Sequence, residues 1–370
     1  MAEIFESTNI KAMELKNRLM RSATWEGMCD PEGRPTEKLI NYYTDLAKGG
    51  VGMIITGYTF VSPEGRQMPG KMGLHTDDFI PDMKKMVDAV HAAGSKICVQ
   101  LVHAGGQTNE KTIGRNPIAP SAIEAAQYQG VTPDAMTVED IHRVVAAFGL
   151  AARRAKEAGF DAVQLHGAHG YMINQFLSPH TNQRTDEYGG SFDNRFKFLD
   201  DVYKSVRTAV GKDYPVLIKL TGADNLEGGL TAEEAVDAAK RLSAAGIDAI
   251  EVSGGTPASG DLGPVRGKIN AASDEAYLLE LAKGIKAAVS CPVISVGGYR
   301  SYEVASAALD TVDYISFSRP FIREPNLANR WKSGDTARAT CISCNKCFVA
   351  GIKEGGIYCV VQKKQDEDAS

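Results

Sequence analysis

The sequence predicts an α/β protein built as one (β/α)8 TIM barrel, and three observations carry that prediction. Short runs of β-branched and apolar residues recur eight times, alternating with stretches of helical periodicity. No G-x-G-x-x-G follows the first run and no shift of composition divides the chain, which sets aside a doubly wound dinucleotide-binding sheet. The runs also end in polar residues or glycine, as barrel strands do where chemistry gathers at their C-terminal ends.

Taken in order, the candidate strands are 17–23, 51–57, 96–101, 161–166, 215–220, 248–253, 292–297 and 312–317. The clearest helical segments are 138–159, 192–210, 231–246 and 276–289, several closed by a glycine where a left-handed cap falls. The strand ends present Thr56 and Gly57, Gln100, His166, Lys219, Ser253 with Gly254 and Gly255, and Gly297 with Gly298; Ser318 and Arg319 follow the last strand. A closed barrel aims these groups into one mouth. The long connection 103–134, punctuated by glycine and proline, is expected to wall the substrate side. We expect a barrel domain over 1–332 and a cysteine-rich extension over 333–370, its polar end disordered.

Composition narrows the function. The chain has 370 residues, 43% hydrophobic and 24% charged, enough to bury a large core. Lys and Arg number 41 against 46 Asp and Glu, and the net charge of −5 argues against a nucleic-acid partner. Charges interrupt the apolar residues near the N-terminus, and no window approaches ~18 consecutive apolar residues. Neither a signal peptide nor a membrane span is expected, and a cytoplasmic protein is the simplest reading. Of seven cysteines, Cys341, Cys344, Cys347 and Cys359 crowd near the C-terminus, whereas Cys29, Cys98 and Cys291 read as ordinary buried or loop thiols.

The segment His166, His169 and Tyr171 starts as a strand and ends as a loop, so all three side chains project near the barrel mouth. Two imidazoles three residues apart can bind a metal or hold a carbonyl oxygen and polarise it, and one of them can equally be a satisfied core residue. A phenol two residues further on is a candidate proton donor.

This segment, the following stretch from Asn182 through Arg184, Asp186 and Tyr188 to Asn194 and Arg195, and the run Val99, Gln100, His103 and Gly105 together resemble the old yellow enzyme family of FMN-dependent oxidoreductases. The resemblance extends from about Phe5 to Trp331. It implies FMN lying across the barrel mouth, with Ala23, Thr24 and Trp25 beside the isoalloxazine, Gly57 under it, and Gln100 on its pyrimidine edge. Lys219 takes the place of a cation, often Arg in the family, beside flavin N1 and O2; Lys keeps the charge but loses the planar fork. Gly297, Gly298, Ser318 and Arg319 suit the phosphate site of such barrels, and Ser253 to Gly255 serve the ribityl side, a substrate loop or only a turn. The chain departs from the family at Trp25, where a hydroxyl or thiol is common near the flavin carbonyl; an indole there narrows or stacks on the cavity. Arg184, Asp186, Tyr188 and Arg195 read as a structural clamp on the loop carrying the histidines.

Cys341, Cys344, Cys347 and Cys359 have the spacing C-x2-C-x2-C-x11-C, which suits Zn2+ or an iron–sulfur cluster, or leaves free thiols. The pattern resembles the [4Fe-4S] segment that follows the barrel in trimethylamine dehydrogenase and 2,4-dienoyl-CoA reductase. Such a cluster implies an electron-transfer partner or a direct nicotinamide donor.

The expected activity is that of an ene-reductase: FMN takes a hydride from NADH or NADPH and reduces the activated C=C bond of an α,β-unsaturated carbonyl or nitro compound. In it His166 and His169 hold the activating oxygen and Tyr171 protonates the α-carbon. The alternatives are an FMN and iron–sulfur dehydrogenase of amines or other C–H substrates, a non-catalytic electron-transfer subunit, and a non-flavin phosphate-binding barrel. The resemblance also implies self-association.

Overall fold

Each of the eight apolar runs forms a strand, and together they close a parallel barrel. The computed structural model describes residues 3–369. A hairpin of β1 (Thr8–Ile10) and β2 (Met13–Leu15) comes first. The wall begins with β3 (Leu19–Arg21) and β4 (Met53–Ile55), the latter continued by β5 (Thr59–Phe60), and then β6 (Lys96–Val102). The long connection that follows carries the small pair β7 (Ile118–Ala119) and β8 (Asp134–Ala135). The wall resumes with β9 (Ala162–Gly167), β10 (Val216–Thr221), β11 (Ala249–Ser253), β12 (Val293–Val296) and β13 (Tyr314–Phe317). Ile315 of β13 stands opposite Leu19 of β3, which closes the ring.

Helices pack outside the wall at Val138–Glu157, Phe192–Val210, Ala232–Ala245 and Leu279–Lys286, within or near the expected limits. Two of them open with reciprocal caps: Thr137 with Asp140, and Thr231 with Glu234. Such caps stabilise a helix by about 1 kcal/mol each. The third ends on Gly246 at φ +92°, a left-handed conformation that only glycine adopts without strain.

Side chains alternate along a strand, so every second residue points into the barrel. The lower inward layer is apolar: Met20, Met53, Cys98, Ala162, Leu217, Ala249, Ile294 and Tyr314 pack with Ile10, Met13 and Leu15 of the hairpin, which plug the bottom. Two residues higher the layer turns polar, with Gln100 opposite Gln164 and Lys219 opposite Glu251. The cavity therefore has a polar floor on an apolar plug.

After the helix Leu327–Lys332 the chain returns across the mouth. Ala339 N donates to Arg300 O at 2.8 Å, and Ile357 N donates to Glu26 O at 2.8 Å. Between them the helix Lys346–Glu354 brings Gly351 against Trp25; a Cβ there would meet the indole at 3.1 Å. The polar end, expected to be disordered, instead forms the helix Val360–Ala369. Its physical support is an i,i+4 bond from Gln362 to Asp366 (2.7 Å) and a tether from Arg323 to Gln365 (2.7 Å). Ser370 lies outside the described residues. Among the described residues no helix is long and apolar enough to cross a membrane.

Candidate active site

The mouth of the barrel holds a cavity of about 500 Å³. Ala23, Thr24, Trp25, Gln100, His166 and His169 line it, as do Tyr171, Lys219, Gly297, Gly298, Ser318 and Arg319. Gly57 is not in this lining. It packs behind it, its N–H donating to Glu26 Oε1 (3.1 Å) and Tyr43 Oη (3.0 Å), and a Cβ would fall 2.1 Å from Glu26 Oε2.

The end of β9, with His166, and the loop after it, with His169 and Tyr171, present the catalytic candidates. His169 takes a left-handed φ of +62° followed by Gly170 at +74°, an uncommon conformation for a residue with a side chain. Four hydrogen bonds hold this turn: His169 N to Thr221 Oγ1 (3.2 Å), Gly170 N to Asn174 Oδ1 (2.6 Å), Gln107 Nε2 to His169 O (2.8 Å), and Gln175 Nε2 to Gly170 O (2.7 Å). The result is a compact group, with the His166 ring 5.1 Å from that of His169 and 4.8 Å from that of Tyr171.

Burial, the neighbouring His169 and the Lys219 and Lys71 ammoniums hold the His166 pKa well below its ordinary value; burial and Lys219 push that of His169 down to about 3. Both rings are therefore neutral. His166 Nδ1 accepts from Ala168 N (3.3 Å), so Nε2 carries the ring proton as a donor. His169 Nε2 bonds Ser253 Oγ at 2.7 Å. Burial raises the Tyr171 pKa, which keeps its phenol protonated. Tyr171 Oη donates to Tyr58 Oη (2.9 Å), which in turn donates to Gln67 Oε1.

The cavity lining contains no Asp or Glu among the described residues, whereas Lys71, Lys219, Arg300 and Arg319 are present. That charge balance suits a phosphate-bearing, electron-rich occupant such as FMN. A second fit lies at the floor, where Gln100 Oε1 is a buried acceptor with no protein partner. Lys219 Nζ stands nearby as a buried donor bonded to Ser22 Oγ (2.9 Å). At the other end Gly298, at φ +76°, passes so close to Tyr277 that a Cβ would meet the ring at 2.9 Å. Arg319 Nη1 is held by Asn345 Oδ1 at 2.5 Å.

Sequence reasoning missed Tyr58, Lys71, Gln164 and Glu251. Lys71 is buried, with no hydrogen-bond partner for its ammonium, which lies 3.2 Å from the Tyr58 ring centroid and 5.2 Å from that of Trp25. Gln164 and Glu251 are each a polar residue within a largely apolar run, and the barrel register turns both inward. Arg184, Asp186, Tyr188 and Arg195 do form a clamp: Arg184 pairs with Asp186 and bonds Pro120 O (2.9 Å), Tyr188 bonds Asp201 (3.0 Å), and Arg195 holds Leu177 O and Glu234.

The four cysteines of the extension line one small cavity of about 20 Å³, together with Arg319 and Asn345, which also line the large one. Burial raises the Cys341 and Cys347 thiols, the latter to about 11. Among the described residues no three Cys, His, Asp or Glu side chains are drawn together as a finished metal-binding group.

Comparison with known proteins gives a consistent result. A profile described as the NADH:flavin oxidoreductase / NADH oxidase family matches residues 3–337. An NADH oxidase of Thermoanaerobacter brockii is 35% identical over 94% of this chain and 54% of its own length. An NADPH dehydrogenase of Halalkalibacterium halodurans is 36% identical over 87% of this chain and 92% of its own. The solved structure of a 2-naphthoyl-CoA reductase in complex with 2-naphthoyl-CoA superposes with a TM-score of 0.85 and 30% identity, covering 93% of this chain and 54% of that one. The chain thus spans about half the length of some relatives and nearly all of others.

Proposed function

The chain belongs to the NADH:flavin oxidoreductase / NADH oxidase family, the old yellow enzyme family, and from that premise we propose that it reduces activated C=C bonds at the expense of NADH or NADPH. When bound, FMN supplies hydride transfer between the nicotinamide and the substrate. Gln100, Lys219, Gly297, Gly298, Ser318 and Arg319 would hold it, with Ala23, Thr24 and Trp25 along its edge.

One observation carries the reading: a neutral His166 with its proton on Nε2 stands ring to ring with a protonated Tyr171 in one cavity. His166, with His169 beside it, donates to the carbonyl or nitro oxygen of the substrate and stabilises the negative charge that grows there. Donors of this kind contribute about 2.7–4 kcal/mol to a transition state. Tyr171 donates its phenolic proton to the α-carbon, so proton and hydride arrive from separate groups. The donor pair favours an activated alkene over an amine, which offers no oxygen to hold. The test is NADPH- and NADH-dependent conversion of 2-cyclohexenone to cyclohexanone by the FMN-loaded protein; no saturated product from it or from other small enones and nitroalkenes rejects the proposal.

The cysteine extension belongs to the same proposal. Cys341, Cys344, Cys347 and Cys359 would hold a metal centre, a [4Fe-4S] cluster before Zn2+, because all four line one cavity. A cluster would call for an electron-transfer partner. Iron, sulfide and zinc analysis of anaerobically purified protein decides between them, and none of the three in stoichiometric amount rejects a metal centre.

A further inference from the structure

One buried carboxylate organises the polar floor of the cavity. Glu251 is fully buried, and each of its oxygens is engaged. Oε2 accepts from Gln164 Nε2 at 2.9 Å; Oε1 accepts from Ser22 Oγ at 2.7 Å and from Lys219 Nζ at 3.3 Å.

An ionised carboxylate can only accept hydrogen bonds, and this sets the direction of everything attached to it. Gln164 must turn its NH2 toward Glu251, which leaves its carbonyl facing Gln100. Gln100 then donates through Nε2 to Gln164 Oε1 at 2.7 Å, and its own Oε1 remains a buried acceptor without a partner. On the other side, Ser22 gives its proton to Glu251, so its oxygen is free to accept from Lys219 at 2.9 Å. With two of its three N–H groups committed, the Lys219 ammonium keeps one to offer. The floor therefore presents an unpaired acceptor at Gln100 and a donor at Lys219, the complement of a ring edge in which an N–H is flanked by carbonyl oxygens.

We propose that Glu251 is a positioning residue for the flavin pyrimidine edge: through Gln164 it fixes Gln100 as an acceptor for the ring N3–H, and directly and through Ser22 it holds the Lys219 ammonium. The inference rests on the flavin reading above and goes beyond it by assigning the sense of each hydrogen bond to one residue outside the cavity lining. Glu251 also sets the local charge, since its carboxylate offsets that of Lys219 at the cavity floor.

The experiment compares apoprotein of wild type, E251Q and Q164M for binding of FMN and of 3-methyl-FMN, which lacks the N3–H, by quenching of flavin fluorescence. Wild type is expected to prefer FMN on the order of tenfold or more, since the analogue leaves a buried acceptor unpaired. In E251Q the residue at 251 can face either way and Gln164 and Gln100 can turn over together, so the preference falls to a few-fold. Loss of the negative charge also raises the midpoint potential of the FMN-loaded protein. Q164M cuts the relay but leaves Lys219 paired with Glu251, so the preference falls while the potential stays at the wild-type value; it also keeps the test decisive if E251Q does not fold. An unchanged preference in the folded variants, an equal loss of affinity for both ligands, or no preference in wild type overturns the inference while leaving the flavin reading intact. Failure of wild type to bind FMN at all overturns both.

Discussion

The Tyr171 hydroxyl donates to the Tyr58 hydroxyl at 2.9 Å, with the ring centroids 5.1 Å apart. The proposed proton donor is thus the first member of a short chain that runs through Tyr58 to Gln67. Replacing Tyr58 by Phe removes the second member and leaves the first. We expect Y58F to slow alkene reduction by about 2- to 10-fold, the range of one ordinary hydrogen bond, with cofactor reduction by NADPH unchanged. Stopped-flow traces of the two half-reactions check this.

Lys219 and Glu251 form a buried pair at 3.3 Å, and burial lowers the lysine pKa while Glu251 opposes that shift. Removing the cation strands the carboxylate, which typically costs about 3–5 kcal/mol. K219M is expected to lose stability on that scale in urea unfolding of the apoprotein, and K219R to recover most of it. K219M should also lower the midpoint potential of the FMN-loaded protein, because a fixed positive charge favours the reduced flavin.

The pKa of His166 lies well below its ordinary value, chiefly through burial. In the unfolded chain the same ring titrates near 6.5, so below that pH the unfolded state binds a proton that the folded state refuses. The ring's contribution to stability is present above about 6.5 and is lost as pH falls toward the lower folded value, by at most about 1.4 kcal/mol per pH unit. Thermal unfolding of the apoprotein between pH 7 and pH 5 should show a steeper loss for wild type than for H166Q.

Cys347 belongs to a four-thiol cavity carried by the extension, whereas Gln100, Lys219 and Gly298 belong to the barrel. C347S is expected to lose bound metal while retaining the flavin absorption bands. Elemental analysis and a visible spectrum on one sample check both parts.

Much of this is legible in the chain. Most wall strands lie in runs rich in Val, Ile and Leu, and runs such as 161–166 and 215–220 coincide with β9 and β10 within a residue or two at each end. His166 and Tyr171 are legible because the first ends such a run and the second follows it into a loop, where side chains reach the mouth. Glu251 and Gln164 are harder to read: a single polar residue in an apolar run marks a solvent-facing position as often as an inward one, and only the closed register tells them apart. Lys71 lies in a loop with no periodicity, and its place over the Tyr58 ring depends on contacts distant in sequence. The helix Val360–Ala369 reads as a disordered polar tail because its tether, Arg323, lies 42 residues upstream of Gln365.

The central claim is that Tyr171 supplies the proton and His166 with His169 the oxygen contacts for reduction of an activated alkene. The most direct measurement compares wild type and Y171F in two anaerobic stopped-flow experiments: reduction of the bound flavin by NADPH, and its reoxidation by 2-cyclohexenone. We expect Y171F to slow reoxidation by at least about 10²-fold, the lower end for general acid catalysis, with flavin reduction within twofold of wild type. Equal losses in both half-reactions, or reoxidation at the wild-type rate, would contradict it.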